Sequence, residues 1–210
     1  MDSQDIAKII YSHHIKKIRN LHHPNEKIFV LFSGVAGSGK SFLAKKIEER
    51  FKAVRINNDD IRDIIRDEIA PKVNMEEIKP QELLQGYLHF LYEKISKKNG
   101  MIILDSSMDR SFESVRMTAK QYGYKIFLIR IDLPRETLEK QIRQRTDKDP
   151  GPYIRDLDKQ IGDHQRFSAE VPADFVISVS NFDKFDDLYQ ALQEKMDSRS
   201  GPPCREAGRE

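Results

Sequence analysis

The chain has 210 residues, which suits one domain with a substantial buried core and is marginal for two. Hydrophobic residues make up 38% of the sequence and charged residues 33%, a composition typical of a heavily solvated surface. The formal net charge of +2 neither requires nor excludes a nucleic-acid partner, and no run approaches the roughly 18 consecutive apolar residues of a membrane span.

The first 24 residues predict a helical extension that precedes the main domain. Residues 4–21 have the pattern of a short amphipathic helix, with apolar positions at Ile6, Ile9, Ile10, Ile15 and Ile18. The start of the chain lacks the basic residues and long apolar centre of a signal peptide, so we expect no targeting segment. Two histidine pairs, at 13–14 and 22–23, have no cysteine or carboxylate cluster beside them, and we interpret them as solvated.

The stretch IFVLFSGVAGSGKSFLAKKIEERF, residues 28–51, joins an apolar run to a helical pattern through a glycine-rich loop. Ile28–Phe32 predicts a strand that is buried on both faces, as in a parallel sheet. Four residues after the loop fall on one helical stripe: Phe42, Leu43, Ile47 and Phe51. The loop itself, Gly34–Ser41, matches G-x-x-x-x-G-K-[ST] in the strand-to-helix context that this motif requires.

This loop has the chemistry of a nucleotide site. Its glycines permit positive φ, so that successive N–H groups face one concavity at a helix N-terminus, which favours phosphate. Lys40 can contact the β- and γ-phosphates, and the Ser41 hydroxyl can coordinate Mg²⁺. The predicted ATP-binding residues here are Gly34, Val35, Ala36, Gly37, Ser38, Gly39, Lys40, Ser41 and Phe42. A dinucleotide site fits worse because the spacing is not G-x-G-x-x-G, and the sequence has no N-K-x-D motif to indicate GTP.

Two acids and an arginine follow the second predicted strand, Val54–Ile56, in the stretch INNDDIRDIIR. Asp59 or Asp60 could act as the N-cap of the next helix. One cap explains one acid and leaves the second acid and Arg62 unexplained. Because open α/β sheets bind ligands at the carboxyl ends of their strands, a carboxylate here could accept the proton of an attacking hydroxyl while Arg62 holds the acceptor.

The order of strand, glycine-rich loop, helix, strand and acid pair resembles the P-loop kinases related to phage polynucleotide kinase and the zeta toxins, over about residues 28–180. The resemblance implies a three-layer α/β/α P-loop NTPase fold with a five-stranded parallel sheet and a short helical lid. It implies transfer of the γ-phosphoryl group of ATP to a hydroxyl, with Mg²⁺ as cofactor. Carried over by position, Asp59 corresponds to the general base and Arg62 to a substrate-binding arginine.

The third predicted strand, Met101–Leu104, runs into Asp105 and looks like a Walker B strand. Asp105 would then orient Mg²⁺ or meet the acceptor, although a helix cap is an alternative. The family typically has Asp-Thr-Asn where this chain has Asp105-Ser106-Ser107. Residues 63–98, in which Tyr87 and His89 are polar-tipped candidates, correspond to the acceptor-recognising segment. That segment lacks aromatic residues interleaved with basic ones, so a polynucleotide is possible but is not favoured over a small molecule or nucleoside.

The fourth predicted strand, Ile126–Ile131, precedes a charged helical pattern that breaks at Pro150. The resemblance implies a lid over about residues 141–155 that closes on ATP. It implies that Arg145 is the principal lid arginine and that Arg143 lies nearby, while Gln141 occupies a further arginine position of the family. The alternative is a solvated basic helix face.

The last predicted strand, Phe175–Val179, corresponds to the family segment beneath the adenine, where Asn181 is a candidate base contact. We predict one kinase domain over residues 25–197 and a disordered tail over 198–210. The single cysteine, Cys204, excludes a disulfide within the chain and favours a reducing, cytoplasmic compartment. Three functions remain open: a small-molecule or nucleoside kinase, which we favour; a polynucleotide 5′-hydroxyl or nucleotide-sugar kinase; and a P-loop ATPase acting as a switch.

Overall fold

The computed structural model describes residues 5–6, 8–12, 27–72, 90, 100–144, 149–181 and 184–198. Within these ranges the strands are β1 (Lys27–Ser33), β2 (Val54–Asn57), β3 (Gly100–Ser107), β4 (Lys125–Ile131) and β5 (Phe175–Ile177). The helices from β1 onward are α1 (Lys40–Phe51), α2 (Asn58–Ile64), α3 (Phe112–Tyr122), α4 (Arg135–Arg143), α5 (Gly151–Arg155), α6 (Leu157–Glu170) and α7 (Phe185–Asp197). A π-helical turn at Ile65–Ile69 and a 3-10 turn at Ala70–Lys72 extend α2.

The five strands form one parallel sheet in the order β2-β3-β1-β4-β5. One apolar cluster covers one face and includes residues of α2, α3 and α6, and a second cluster covers the other face and includes residues of α1 and α7. This arrangement confirms the predicted three-layer α/β/α fold. In the part of the chain that the structure describes, no helix is long and apolar enough to span a membrane.

The sheet places the carboxyl ends of β1, β2 and β3 beside one another. Leu31 of β1 pairs with Leu104 of β3, but Phe32 pairs with Ser107, so β3 carries extra residues at Asp105–Ser106. Such irregularities redirect the chain where a strand meets a site. Asp105 remains paired with Asn57 of β2, so the residues that end the second and third predicted strands lie side by side.

Two details differ from the sequence patterns. Phe42 is not on the buried stripe of α1, whose buried residues are Leu43, Ala44, Ile47 and Phe51; it is 47% exposed because it is adjacent to Leu43 and so points to a different face. β5 ends at Ile177, two residues earlier than predicted. The Asn181 side chain explains this end, because it accepts the Ser178 N–H and donates to the Val176 carbonyl, which turns the chain.

The amino-terminal segment contributes to the core. Residues 5–6 and 8–12 are helical, and Ile6 and Ile10 are fully buried in the same cluster as Phe29 and Leu31 of β1. Ile15, Ile18, the two histidine pairs, Tyr87, His89, Arg145 and Cys204 lie outside the described residues. The bounds predicted for the extension, the domain and the tail remain predictions.

Candidate functional site

The phosphate-loop motif forms the turn between β1 and α1. Gly39 is the N-cap of α1 with φ of 92°, and Gly37 has φ of 79°, conformations that L side chains rarely adopt. Among the described residues, no side chain caps the amino end of α1. The loop therefore meets a helix N-terminus whose N–H groups and dipole favour an anion.

Lys40 lies across the loop. Its Nζ donates to the carbonyl oxygens of Gly34 at 2.9 Å and Val35 at 2.7 Å, and lies 3.4 Å from Ser38 Oγ. These bonds hold a positive charge over the concavity that the loop N–H groups border. The side chain is half-buried, so that charge is only partly screened by solvent.

Asp105 is the buried centre of a polar cluster, with a side chain that is 1% exposed. Its Oδ1 accepts the Ser41 hydroxyl at 3.0 Å. Its Oδ2 accepts Arg55 Nη1 at 2.5 Å and Asn57 Nδ2 at 2.9 Å. Arg55 Nε also donates to Glu48 Oε2 at 3.0 Å, so the guanidinium is shared between two carboxylates.

The Arg55 guanidinium keeps its positive charge although it is largely buried. Burial disfavours its charged form, but the hydrogen bonds to Asp105 and Glu48 and the attraction of both carboxylates outweigh burial and raise the pKa of Arg55 above its ordinary value. The Asp105 carboxylate therefore sits beside a permanent cation on one side and the Ser41 hydroxyl on the other.

The acid pair starts α2, but neither acid is its N-cap. Asn57 takes that position, and its Oδ1 accepts the Asp59 N–H at 2.7 Å. The capping alternative considered for Asp59 and Asp60 is therefore wrong, because the residue that ends β2 already fills the role. Asp59 Oδ1 accepts Arg62 Nη1 at 2.9 Å. Their side chains are 50% and 64% exposed, so solvent reaches both.

A cleft of about 560 Å³ brings these groups together, and we call it the first cleft. Its loop side is lined by Ala36, Gly37, Ser38, Gly39, Lys40, Ser41 and Phe42. Its other walls are lined by Asn57, Asn58, Asp59, Arg62, Asp105, Ser106, Ser107, Gln141 and Tyr153. Lys40, Ser41, Asp59, Arg62 and Asp105 thus border one space, although they come from three separate segments of the sequence.

A second cleft of about 400 Å³ adjoins the first at Ala36, Lys40 and Ser107. Its remaining walls are Gly34, Val35, Asp109, Arg110, Asp156, Lys159, Gln160 and Asp163. The loop is thus bordered on one side by β2 and β3 and on the other by α6.

Of the two predicted lid arginines, the structure describes Arg143. Arg143, at the end of α4, donates to Glu139 on the same helix at 2.7 Å and is not among the residues that line the first cleft. Gln141 does line it. The base of the lid packs on the loop through a small buried cluster of Val35, Leu138, Ile142 and Leu157.

Two further predicted residues have other partners. Asp60 lies outside the lining of the first cleft, with Oδ2 4.0 Å from Arg55 Nη2. The Asn181 side chain uses its oxygen on Ser178 N–H and its amide nitrogen on the Val176 carbonyl, so both ends serve the turn after β5. A contact with a base would have to compete with these bonds.

Sequence reasoning missed Arg55, Asn57 and Gln160. Gln160 on α6 accepts the Ala36 N–H of the loop at 3.0 Å, across 124 residues of chain. A usable signal did exist for Arg55 and Asn57, because both are polar and alternate with buried Val54 and Ile56 in β2. Alternate residues of a strand share a face, so two polar groups on one face of a buried strand indicate a common partner.

The donor set suits magnesium bound beside the loop. Magnesium in nucleotide sites keeps several waters and takes few protein oxygens together with those of the substrate phosphates. Ser41 Oγ and Asp105 Oδ1, 3.0 Å apart, supply such a pair at the edge of the first cleft. No cluster of three or more histidine, cysteine or acidic side chains suited to a fully protein-ligated metal occurs in the described ranges.

Comparisons with known proteins agree with this fold. Residues 29–172 match the model of a family described as an AAA domain. Among solved structures, the chain is similar to one from the PezAT chromosomal toxin-antitoxin system of Streptococcus pneumoniae, with a TM-score of 0.59, 12% identity, and coverage of 86% of this chain and 80% of that chain.

Two solved kinases are also similar to the chain in fold. Shikimate kinase from Bacteroides thetaiotaomicron matches with a TM-score of 0.51, 11% identity, and coverage of 80% of this chain and 95% of that one. The APS kinase of Mycobacterium tuberculosis, solved with AMPPNP and APS, matches with a TM-score of 0.50, 15% identity, and coverage of 83% and 100%. At such identities the likeness shows the fold, which is that of P-loop kinases. No curated protein matches the sequence.

Proposed function

The chain belongs to the AAA domain family and has a P-loop kinase fold, and on that premise we propose that it is an ATP-dependent kinase. It transfers the γ-phosphoryl group of ATP to a hydroxyl of a small molecule or nucleoside. The observation that supports the proposal is the first cleft, where a phosphate loop with its lysine borders the same space as the exposed carboxylate of Asp59. A switch protein would more typically have a water-orienting glutamine or an arginine finger supplied by a partner.

Each group that lines the first cleft has a separate role in the proposed transfer. ATP supplies the phosphoryl group, and Mg²⁺ beside Ser41 and Asp105 offsets the negative charge of its phosphates. Lys40 binds phosphate oxygens, because its ammonium already lies over the loop. Arg55 and Asn57 hold Asp105 in place from the side opposite Ser41.

Asp59 acts as general base in this proposal. Its side chain is half exposed, so a hydroxyl can reach it, and its Oδ1 accepts a hydrogen bond from Arg62 at 2.9 Å, which orients the carboxylate. Arg62 lines the cleft and can orient the acceptor while it orients the base. The lid arginine Arg145 would neutralise charge on the transferred group, as the family resemblance implies.

The test is a γ-labelled ATP transfer screen over nucleosides, sugars, nucleotide sugars and 5′-hydroxyl oligonucleotides. Asp59→Asn keeps the shape of the side chain but removes the base, so we expect transfer to fall by about 10²–10⁴-fold while ATP affinity stays near that of the parent. Asp60→Asn is the matched control, since Asp60 is adjacent in sequence but does not line the cleft, and its transfer should be nearly unchanged.

Lys40→Ala checks the phosphate site separately. This change should weaken ATP binding and abolish transfer with the fold intact. Full transfer activity in Asp59→Asn would end the general-base role, whereas ATP hydrolysis without transfer to any acceptor would favour the switch. If a 5′-hydroxyl oligonucleotide is the best acceptor in the screen, the protein is a polynucleotide kinase instead.

A further inference from the structure

One buried ring links α6 to the ends of three strands beneath the phosphate loop. His164, in the middle of α6, is 8% exposed. Its Nδ1 lies 3.2 Å from Asp109 Oδ2 and 3.1 Å from Ser33 Oγ, and its Nε2 lies 2.9 Å from Asp132 Oδ1. Ser33 ends β1 directly before Gly34, Asp109 follows β3, and Asp132 follows β4.

The two carboxylates determine the protonation state of this ring. A neutral imidazole has one N–H donor and one lone pair, so it can donate to one carboxylate while its lone pair faces the other. A doubly protonated imidazole donates to both Asp109 and Asp132, and its charge offsets theirs. Arg130 supports the same arrangement from the far side, because its Nε donates to Asp132 Oδ2 at 3.0 Å.

In this cluster burial opposes the charged forms of both His164 and Asp109, and the hydrogen bonds and opposite charges prevail. Burial disfavours the charged ring, but the hydrogen bonds to Asp109 and Asp132 and the attraction of both carboxylates outweigh it, so the pKa of His164 is raised. Burial also acts to raise the pKa of Asp109, yet the hydrogen bonds from His164 and Ser33 and the charge of the ring lower it. The Asp109 side chain is 9% exposed and that of Asp132 is 41% exposed, so solvent reaches the cluster at Asp132.

The same helix reaches the phosphate loop directly. Gln160 lies one turn before His164 on α6, and its Oε1 accepts the Ala36 N–H. Asp109 and Gln160 both line the second cleft, which adjoins the first at Lys40. Whatever fixes α6 against the strand ends therefore also fixes one N–H of the loop and one wall of the second cleft.

We infer that His164 is a positioning residue whose doubly protonated ring ties α6, and through Gln160 the phosphate loop, to the ends of β1, β3 and β4. Its effect on phosphoryl transfer rests on the proposed function, whereas the state of the ring does not. The ring is faced by Asp109 from the segment after β3 and by Asp132 after β4, with Arg130 acting through Asp132.

The pH dependence follows from the raised pKa of His164. The stabilisation from the charged ring is complete below the pKa of about 6.5 of an unfolded histidine and is lost as the pH rises through the higher folded-state pKa. Above that point the ring loses one N–H and can no longer donate to both Asp109 and Asp132, so α6 is held less firmly. Turnover should therefore fall at alkaline pH, while the affinity for ATP should change less, because Ala36 is only one of the loop residues that border the first cleft.

The first experiment observes the ring itself. The full chain has six histidines, so the ring nitrogens of 15N-histidine protein are followed by NMR between pH 5 and 10, and the His164 signal is identified by its loss in His164→Gln. We expect a doubly protonated ring with a midpoint above about 6.5. Asp109→Asn, which keeps the ring and removes one negative charge, should lower that midpoint. A wild-type midpoint at or below that of a free histidine would overturn the inference.

The second experiment measures release of phosphate from ATP–Mg²⁺ by the full chain against pH. His164→Gln should turn over on the order of 10- to 100-fold more slowly at pH 6, with a nearly unchanged KM for ATP, because misplaced groups cost turnover. The variant should also lack the alkaline fall of the parent. Glu170→Gln, an exposed change at the end of α6, is the control and should keep both rate and pH profile.

The outcomes separate this inference from the proposed function. If the rate of phosphate release in His164→Gln still falls at alkaline pH, the positioning role is overturned. It is also overturned if Glu170→Gln slows the rate as much as His164→Gln does, because the slowing then comes from general damage to the fold. A protein that neither releases phosphate from ATP nor transfers it to any acceptor of the labelled-ATP screen would contradict the kinase proposal instead. The ring titration, with the pH dependence of the melting temperature, would still decide the state of His164.

Discussion

Gly37 leaves no room for a side chain in the phosphate loop. Its φ is +79°, and an added Cβ would lie 2.8 Å from Ile142 Cγ1 and 3.0 Å from the Leu138 carbonyl oxygen. A backbone oxygen cannot move aside as a flexible side chain does, so the loop itself must shift. We expect Gly37→Ala to lower the free energy of unfolding by about 1–3 kcal/mol and to weaken ATP binding. Urea denaturation and ATP titration measure both effects.

Gly162 provides a matched control for that substitution. It lies within α6, and an added Cβ would meet no heavy atom within 4 Å. Alanine at a helix interior is favoured over glycine, so Gly162→Ala should raise the free energy of unfolding by about 0.5–1 kcal/mol. If the two variants were equally stable, the close approach of α4 to the loop would not constrain Gly37.

The Arg55–Asp105 pair should show strong coupling, because both side chains are largely buried, at 10% and 1% exposed. Removing one partner of a buried pair leaves an uncompensated charge, at a cost of about 3–5 kcal/mol. Arg55→Met should therefore destabilise the fold, and adding Asp105→Asn should recover part of the loss. A double-mutant cycle by urea denaturation measures the coupling. Strictly additive changes would mean that Asn57 and Ser41 suffice to hold the carboxylate.

Sequence motifs can bring residues to one site where the chemistry is local, and the roles predicted for those residues remain predictions. Lys40, Ser41, Asp59 and Arg62 belong to short motifs next to strands, and all four line the first cleft. Gln160 and His164 could not be assigned, because their partners lie 124 and 131 residues away along the chain. Spacing within a motif carries no information about such pairs.

At the scale of elements, apolar runs predicted all five strands, because strands of a parallel sheet are buried on both faces. The order of the strands depends on pairing between distant segments, and no local pattern specifies it. The end of β5 illustrates the same limit, since it is set by side-chain bonds of Asn181 to the backbone and not by hydropathy. Helix α1 was predicted correctly, but its buried face begins at Leu43, and Phe42 lines the cleft instead.

The lid offers a comparison between two neighbouring arginines. Arg143 is paired with Glu139 on α4 and does not line the first cleft. Arg145 lies outside the described residues, and its role comes from the family resemblance. If Arg145 neutralises charge in the transition state, Arg145→Ala should lower kcat by about 10³-fold or more and raise the KM for ATP much less.

Arg143→Ala is the matched control for that lid prediction, because it removes the same charge two residues away. Steady-state kinetics with labelled ATP on the two variants give kcat and KM separately. Arg143→Ala should keep kcat near that of the parent. The reverse ranking would transfer the lid function to Arg143 and require its ion pair with Glu139 to break on closure.

At the scale of the whole molecule, the site depends on helices from both faces of the sheet. α1 carries Lys40 and Ser41 from one face, and α6 carries Gln160 and His164 from the other. The phosphate loop lies between them at the strand ends. Loosening either layer should therefore affect the loop, even where no residue of the site is changed.

The amino-terminal helix tests how far the core extends beyond the predicted domain. Ile10 is fully buried in the cluster that contains Phe29 and Leu31, so Ile10→Ala should lower the free energy of unfolding by about 2–5 kcal/mol. Met117→Ala, at a position that is 65% exposed, is the control and should stay within about 0.5 kcal/mol of the parent. Removal of residues 199–210, predicted from sequence to be disordered, should leave the melting temperature unchanged. An Ile10→Ala variant as stable as the other two would show that the helix does not belong to the cooperative core.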